Sequence, residues 1–284
     1  MTQTIAPETT IGEVQLFVSD LTRSLKFYQG SLGFKLFSSE GGQAVLGAGD
    51  RRLLTLTEKP GAKFVQGATG LYHYAILLPD RRSLALLIYH LAESGAQVQG
   101  VADHGVSEAI YMSDPDGNGI EVYRDRRRNE WPFDDIGKLQ MGTDDLDLDD
   151  LLLELREGVS PWKELPEKTV IGHVHLKVRD LLEAETFYTQ ILGFQLMQRY
   201  ESGAIFVSAG GYHHHIGMNV WTSKSAPPPP LDAAGLKWFE VRLPDPAALE
   251  TLRARLQAAG VQAQAEEDGL LVRDPSQNGI LFRA

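Results

Sequence analysis

From Glu13 to Val18 polar and apolar side chains alternate with a period of two, the pattern of a strand with one buried face. From Leu21 to Gln29 the apolar positions recur at helical spacing, and Asp20 stands where an N-cap would accept the first free backbone amides. Gly33 breaks that helix, and short apolar runs at Ala44 to Leu46 and Leu53 to Thr57 predict further strands. A second unit follows: strand Leu71 to Leu78, helix Arg82 to Ser94 closed by Gly95, and strands near Val98, at Ala109 to Ser113 and at Ile120 to Tyr123. The last two are joined by Asp114-Pro115-Asp116-Gly117-Asn118-Gly119, a run of turn formers. The second unit reads strand, helix, then three strands, and the first is expected to follow the same βαβββ order.

The pair of units is itself repeated. IGEVQLFVSDL at 11–21 and IGHVHLKVRDL at 171–181 match at a shift of 160 residues. The same shift carries Phe27-Tyr28 onto Phe187-Tyr188, Leu32-Gly33-Phe34 onto Leu192-Gly193-Phe194, and Asp114-Pro115 onto Asp274-Pro275. Gly70-Leu71 meets Gly235-Leu236 at 165, so the second copy gains five residues there, placed at the loop Pro227 to Pro230, where insertion costs little. The expected fold is α+β, with two domains at residues 8–126 and 169–284, each of paired βαβββ modules, numbered 1 to 4 along the chain. Residues 127–168 form an acidic linker. Within it Asp144 to Leu151 opens a short amphipathic helix, because acids favour a helix N-terminus; the spacing and glycine of a calcium-binding EF-hand are missing.

Composition removes several function classes. The absence of cysteine excludes disulfides, thiolate ligands and a thiol nucleophile. No apolar run is long enough to span a bilayer, and MTQTIAPETT at the N-terminus lacks the apolar core of a signal peptide, so a cytoplasmic protein without a membrane partner is expected. The net charge of −11 argues against a nucleic-acid partner. The one basic cluster, RDRRR at 124–128, is explained as well by a solvated strand exit, offset by the acids that follow, as by binding.

The histidines carry the chemistry. Of 8, only His90 stands alone, on a predicted helix, where a structural role fits. A single histidine on an apolar strand is more often structural than a ligand, but His73, His104, His173, His175 and the run His213-His214-His215 concentrate at corresponding places in the repeat. Three positions per copy matter: the first strand, the strand opening the second module, and the strand after the Asp-Pro turn. The first copy holds Glu13, His73 and Glu121 there; the second holds His173, Trp238 and Leu281. His73, Glu121 and His173 together make two imidazoles and one carboxylate, the facial set that leaves open positions on non-haem Fe(II).

The strings GLYHYAILLPDR (70–81), DHGVSEAIYMSDPDGNGIEVYRD (103–125), GHVHLKV (172–178) and FVSAGGYHHHIGMNVW (206–221) resemble the CatE-type catechol 2,3-dioxygenases of the vicinal oxygen chelate superfamily. The resemblance runs from Ile11 to Arg283. It implies extradiol, meta cleavage of catechol or a substituted catechol to a muconic semialdehyde. Fe(II) is the implied cofactor, with Mn(II) as the alternative, O₂ the co-substrate and a small aromatic diol the partner. The implied metal ligands are His73, Glu121 and His173. In the best-known two-domain members all three ligands lie in the C-terminal domain; Trp238 and Leu281 void that arrangement here. Module 2 must therefore meet module 3, either within one chain or across a homodimer or higher homo-oligomer.

The resemblance also implies a catalytic set. His214 corresponds to the acid–base histidine, and strand alternation would turn it away from His213 and His215, with a one-residue error exchanging them. Tyr111 matches an active-site tyrosine and His104 lies near the histidine that accompanies it, although a core aromatic is the competing role for Tyr111. His175 shares a strand face with His173 and is either a neighbour that orients the ligands or packing. Asp103, Ser107 and Glu108 belong to the same motif as groups that orient ligands. Gly210-Gly211 predicts a tight turn or close backbone approach. Competing readings are a hydroquinone-cleaving dioxygenase, a glyoxalase-type lyase or isomerase, which would want a second glutamate as fourth ligand, and a metal-free protein that binds an aromatic compound.

Overall fold

Four times along the chain a strand ends at an aspartate that starts a helix. Asp20, Asp80, Asp180 and Asp245 each accept a hydrogen bond from the backbone N–H three residues ahead, satisfying amides that the first turn leaves free. Module 1 comprises β1 (Thr10–Val18), α1 (Leu21–Gly30), β2 (Lys35–Glu40), β3 (Gln43–Ala48) and β4 (Arg51–Glu58). Module 2 comprises β5 (Gly70–Leu77), α2 (Arg81–Ser94), β6 (Gly100–Asp103), β7 (Ser107–Ser113) and β8 (Gly119–Asp125). The linker contains α3 (Leu148–Leu152), capped by Asp147. Module 3 has β9 (Val170–Lys177), α4 (Leu181–Glu185) running on as a π-helical turn (Thr186–Ile191), β10 (Gln195–Tyr200), β11 (Ala204–Ser208) and β12 (Ile216–Asn219). Module 4 has β13 (Gly235–Arg242), α5 (Pro246–Ala258), β14 (Ala263–Glu266), β15 (Gly269–Arg273) and β16 (Gly279–Arg283). The computed structural model describes residues 4–284; of the N-terminal stretch read above, Met1–Gln3 lie outside the described residues.

Predicted and observed elements agree closely, apart from β2, which none of the named apolar runs covers, and one shift. Val98 is exposed and precedes its strand, whose ladder to β7 runs from Gly100 to Asp103. Gly95 closes α2 in the left-handed conformation (φ 67°), as its place after the last apolar position predicts.

In each module the first strand pairs in parallel with the last, leaving the other edge of the first strand open. That edge is closed by another module's first strand, antiparallel. β1 pairs with β13 and β5 with β9, giving two eight-stranded sheets: β14-β15-β16-β13-β1-β4-β3-β2 and β10-β11-β12-β9-β5-β8-β7-β6. Each sheet thus takes one module from each sequence copy, modules 1 and 4 in the first and modules 2 and 3 in the second. Both pairings lie within a single chain.

The motifs that mark the repeat also tie the sheets together. Tyr28 Oη donates to Asp114 Oδ2 (2.9 Å) from module 1 to module 2, and Tyr188 Oη donates to Asp274 Oδ2 (3.2 Å) from module 3 to module 4. Both partners are buried, and each aspartate also accepts from the backbone and side chain of an asparagine in its own turn, Asn118 or Asn278. Removing one donor leaves a buried acceptor short of a partner. Tyr28→Phe and Tyr188→Phe are each expected to cost about 1–3 kcal/mol in urea unfolding. Because the two clusters share no residue, the double variant should lose the sum; unchanged midpoints in both single variants would refute the cross-sheet role.

Candidate metal centre

The site grows from two rows across the second sheet. Ladder partners share a face, so Tyr111 (β7), Glu121 (β8), Ala75 (β5) and His173 (β9) stand side by side in one row. The next row holds Gly119, His73, His175 and Gly217, on β8, β5, β9 and β12. Ala75 lies between Glu121 and His173 and lets both side chains reach across it; its counterpart in the first sheet is Glu240. Gly217 leaves room for the His175 ring, since a Cβ there would stand 3.0 Å from it.

His73 Nε2 and His173 Nε2 lie 3.0 and 3.1 Å from the same oxygen, Glu121 Oε2, and all three residues are buried. Donor atoms that share a first-row ion at about 2.1 Å stand about 3.0 Å apart when they occupy adjacent positions, so the spacing suits an ion. The hydrogen bonding also leaves this set incomplete. His73 Nε2 is near Glu121 but out of line, and among the described residues neither it nor His173 Nδ1 has a hydrogen-bond partner. Burial lowers His173 to about 4, so its ring is a neutral nitrogen donor. Burial alone would raise the Glu121 carboxyl, but the His173 and His73 imidazoles outweigh it and hold the group well below its ordinary value. Two nitrogen donors and a carboxylate fit a divalent transition metal with open positions. Among the described residues no other histidine or carboxylate joins the set.

A pocket of about 260 Å³ opens over two of these ligands, His73 and Glu121. Val106, Met141, Phe206 and Trp221 supply apolar walls, and His104, Tyr111, His175 and His214 the polar ones. His104 Nδ1 donates to Gly142 O (2.7 Å), which leaves Nε2 to accept from Tyr111 Oη at 2.6 Å. The pair named from sequence is therefore in contact. Asn219 Nδ2 donates to His175 Nε2 (3.0 Å), fixing the proton of that ring on Nδ1.

The histidine run differs from the sequence expectation. Residues 213–215 lie in the loop before β12 rather than on a strand, so alternation does not orient them. Individual partners do. His213 Nε2 donates to Asp125 Oδ1 (2.9 Å) and its Nδ1 accepts from His214 Nδ1 (2.8 Å). His214 packs with its ring centre 4.1 Å from that of His173, tilted by 47°, and lines the pocket, while His215 Nδ1 accepts from the Ala209 backbone N–H on the other side of the loop. Gly210 and Gly211 start this loop with φ of 58° and 67°, and a Cβ on Gly210 would stand 2.2 Å from Pro7 O, the close approach expected there.

Other expectations resolve differently. Of the motif residues named as orienting groups, Ser107 lines the pocket, whereas Glu108 takes Arg81, Arg124 and Arg126, and Asp103 also takes Arg126. Within the basic cluster, Arg124 and Arg126 are thus paired with acids that precede them, on β6 and β7, rather than with those that follow. His90 is half-buried, with Nε2 3.3 Å from Gly30 O. The copy-one counterpart of His173, Glu13, accepts from Thr55 and pairs with Arg52. The sequence reading missed Asp125, and missed Met141 and Thr143, which come from the linker to roof the pocket. Met141 is anchored to Gln198 by paired hydrogen bonds of 2.9 and 3.1 Å. Linker periodicity gave no sign of this, whereas Asp125 stood in the basic run as its one acid.

A family model described as the glyoxalase/bleomycin resistance protein/dioxygenase superfamily matches residues 10–122 and 170–282. A relative named catechol-2,3-dioxygenase, from Bacillus subtilis (strain 168), is 46% identical over 275 residues, covering 95% of each chain. Two solved structures are similar in fold. Glyoxalase I from Zea mays has a TM-score of 0.58 at 16% identity, covering 97% of this chain and 92% of its own. The cppA protein from Streptococcus pneumoniae TIGR4 has a TM-score of 0.53 at 14% identity, covering 96% and 98%.

Neutral buried imidazoles give the fold a pH dependence of definite sign. In the unfolded chain histidine takes up a proton below about 6.5, whereas folded His173 and His215 resist until about 4 and about 3, and burial also holds His175 and His214 well below their ordinary value. Over that interval the unfolded state binds more protons, so stability falls as pH drops. Glu121 adds to the loss only in more acidic solution, below about 4.5. The urea midpoint of metal-free protein should decline steadily from pH 6.5 to 5; a constant midpoint across that window would contradict neutral burial.

Proposed function

The chain belongs to the glyoxalase/bleomycin resistance protein/dioxygenase superfamily, and from that premise we propose that it is a cytoplasmic extradiol dioxygenase that cleaves catechol or a substituted catechol to a muconic semialdehyde, using Fe(II) and O₂. The observation that carries this reading is the convergence of His73, Glu121 and His173 beneath a small pocket that His214, His175 and the Tyr111–His104 pair also face. The 46% identical relative bears the matching name.

His73, Glu121 and His173 would hold the ion, and Fe(II) bound there supplies oxygen chemistry and acidifies a coordinated hydroxyl. The remaining work belongs to the protein. His214 commits Nδ1 to His213, which is held in turn by Asp125, so Nε2 is the atom left to take a substrate proton. Burial and the neighbouring histidines keep that ring unprotonated beforehand. The Nδ1–H of His175 is a donor on the pocket wall for negative charge as it develops there, while Tyr111 gives its one hydroxyl proton to His104 Nε2 and is held in place beside it. Phe206, Met141, Val106 and Trp221 supply an apolar lining that suits one aromatic ring, in a pocket below the roughly 300–1,000 Å³ of drug-sized sites. Among the described residues the lining holds no lysine or arginine, which favours an uncharged ring substituent over a carboxylate.

A glyoxalase-type lyase would want a second carboxylate, and among the described residues Glu121 is the one acid lining this pocket. Protein purified without oxygen should carry near-stoichiometric iron and consume O₂ with catechol, forming a yellow product. His73→Ala, Glu121→Ala and His173→Ala should each lose iron and activity. His214→Phe should retain iron and lose about 10²–10⁴-fold in kcat, and protocatechuate should be at least about tenfold poorer than catechol in kcat/KM. Full activity in Glu121→Ala would remove the metal assignment. Oxygen uptake with hydroquinone but not catechol would move the substrate, and turnover of methylglyoxal with thiol and no oxygen consumption would establish the lyase.

A further inference from the structure

A second cleft, of about 470 Å³, lies behind the histidine loop, between the start of β1 and the start of β9. Its lining brings together Arg51, Arg52, Arg128 and Arg242 from three separate stretches of chain, against a single acid, Glu8. In a chain of net charge −11 this is a local reversal of sign. The arginines divide into two kinds. Arg52 pairs with buried Glu13 (3.3 Å) and Arg242 with buried Glu240 (3.1 Å), so these two are already neutralised. Among the described residues Arg51 and Arg128 have no carboxylate partner: Arg51 Nη1 reaches Thr169 O (3.5 Å), and Arg128 Nη1 reaches Gly210 O (3.3 Å) while its guanidinium lies 5.3 Å from the Trp131 ring centre.

The rest of the wall is also rich in donors. His215 Nδ1 accepts from the Ala209 N–H (3.2 Å), and a backbone amide can only donate, so the proton of the neutral ring sits on Nε2. Among the described residues that Nε2–H has no partner, and it belongs to a residue lining the cleft. Thr9, 1% exposed, lines it too, and its hydroxyl has no hydrogen-bond partner. Uncommitted guanidinium and imidazole donors, with a single acid opposing them, match a ligand that is acceptor-only and negatively charged.

We propose that this cleft binds a small oxyanion, the carboxylate or phosphate group of a metabolite, held by Arg51, Arg128 and His215. The site is separate from the candidate metal pocket: one loop presents His214 to the pocket and His215 to the cleft.

Isothermal titration of the metal-loaded full chain with inorganic phosphate, and separately with succinate, at constant ionic strength tests this. At least one anion should bind one-to-one with Kd below about 1 mM, and which one does so separates a phosphate ligand from a carboxylate. Arg51→Gln with Arg128→Gln should weaken binding at least about tenfold, as expected when charge-assisted bonds are lost. Arg253→Gln, on an exposed face of α5 where it pairs with Glu250, should leave it within about twofold. The proposal fails if neither anion binds below about 10 mM. It also fails if binding survives the double substitution, as it would for an anion on the metal, or if Arg253→Gln weakens it as much.

Discussion

The antiparallel seam between β5 and β9 is the constraint on which the site depends. β5 carries His73 and, through its parallel ladder to β8, sets the height of Glu121; β9 carries His173. A strand side chain reaches only its own face and its nearest neighbours, so these donors meet because the register sets Ala75 opposite both Glu121 and His173. A slip of one residue would turn the β9 histidines to the other face. The seam also explains why neither sequence copy carries a complete donor set: each contributes half to a sheet that the two build together.

The two sheets show one scaffold with two electrostatic solutions. In the second, Ala75 leaves space, and His73 and neutral His173 flank one carboxylate whose charge they stabilise. In the first, Glu240 occupies the counterpart of Ala75, accepts from the Glu13 backbone N–H at 2.8 Å and pairs with Arg242, while Trp238 and Leu281 replace a histidine and the glutamate. Carboxylates there are matched by arginine and threonine rather than by imidazole, so no set of neutral nitrogen donors is left to hold a transition metal.

Around the proposed catalytic groups, each ring orientation is set by a partner of fixed polarity. A backbone carbonyl decides the tautomer of His104, the Asn219 amide that of His175, the Asp125 carboxylate that of His213 and through it His214, and a backbone N–H that of His215. Tyr212 also donates to Asp125, and Tyr123 to Tyr212, so the carboxylate is itself held in place. Such a network in a buried site keeps each donor and acceptor aimed without reorganisation, the condition under which hydrogen bonds act most strongly on developing charge.

Local pattern was enough for the modules. Alternation, helical spacing, aspartate caps and the repeat at 160 residues specify four βαβββ units, because these depend on interactions within a few residues or on repetition itself. The comparison of copies singled out His73, Glu121 and His173, since a residue type that differs at matched positions is visible without coordinates. Tertiary structure alone decided that modules 2 and 3 pair within the chain, that the linker returns Met141 to the pocket, and that Asp125, His213 and His214 line up. Strand pairing and loop packing join residues tens to more than a hundred positions apart, and nothing in the periodicity of either partner encodes which edge, face or loop the other will meet.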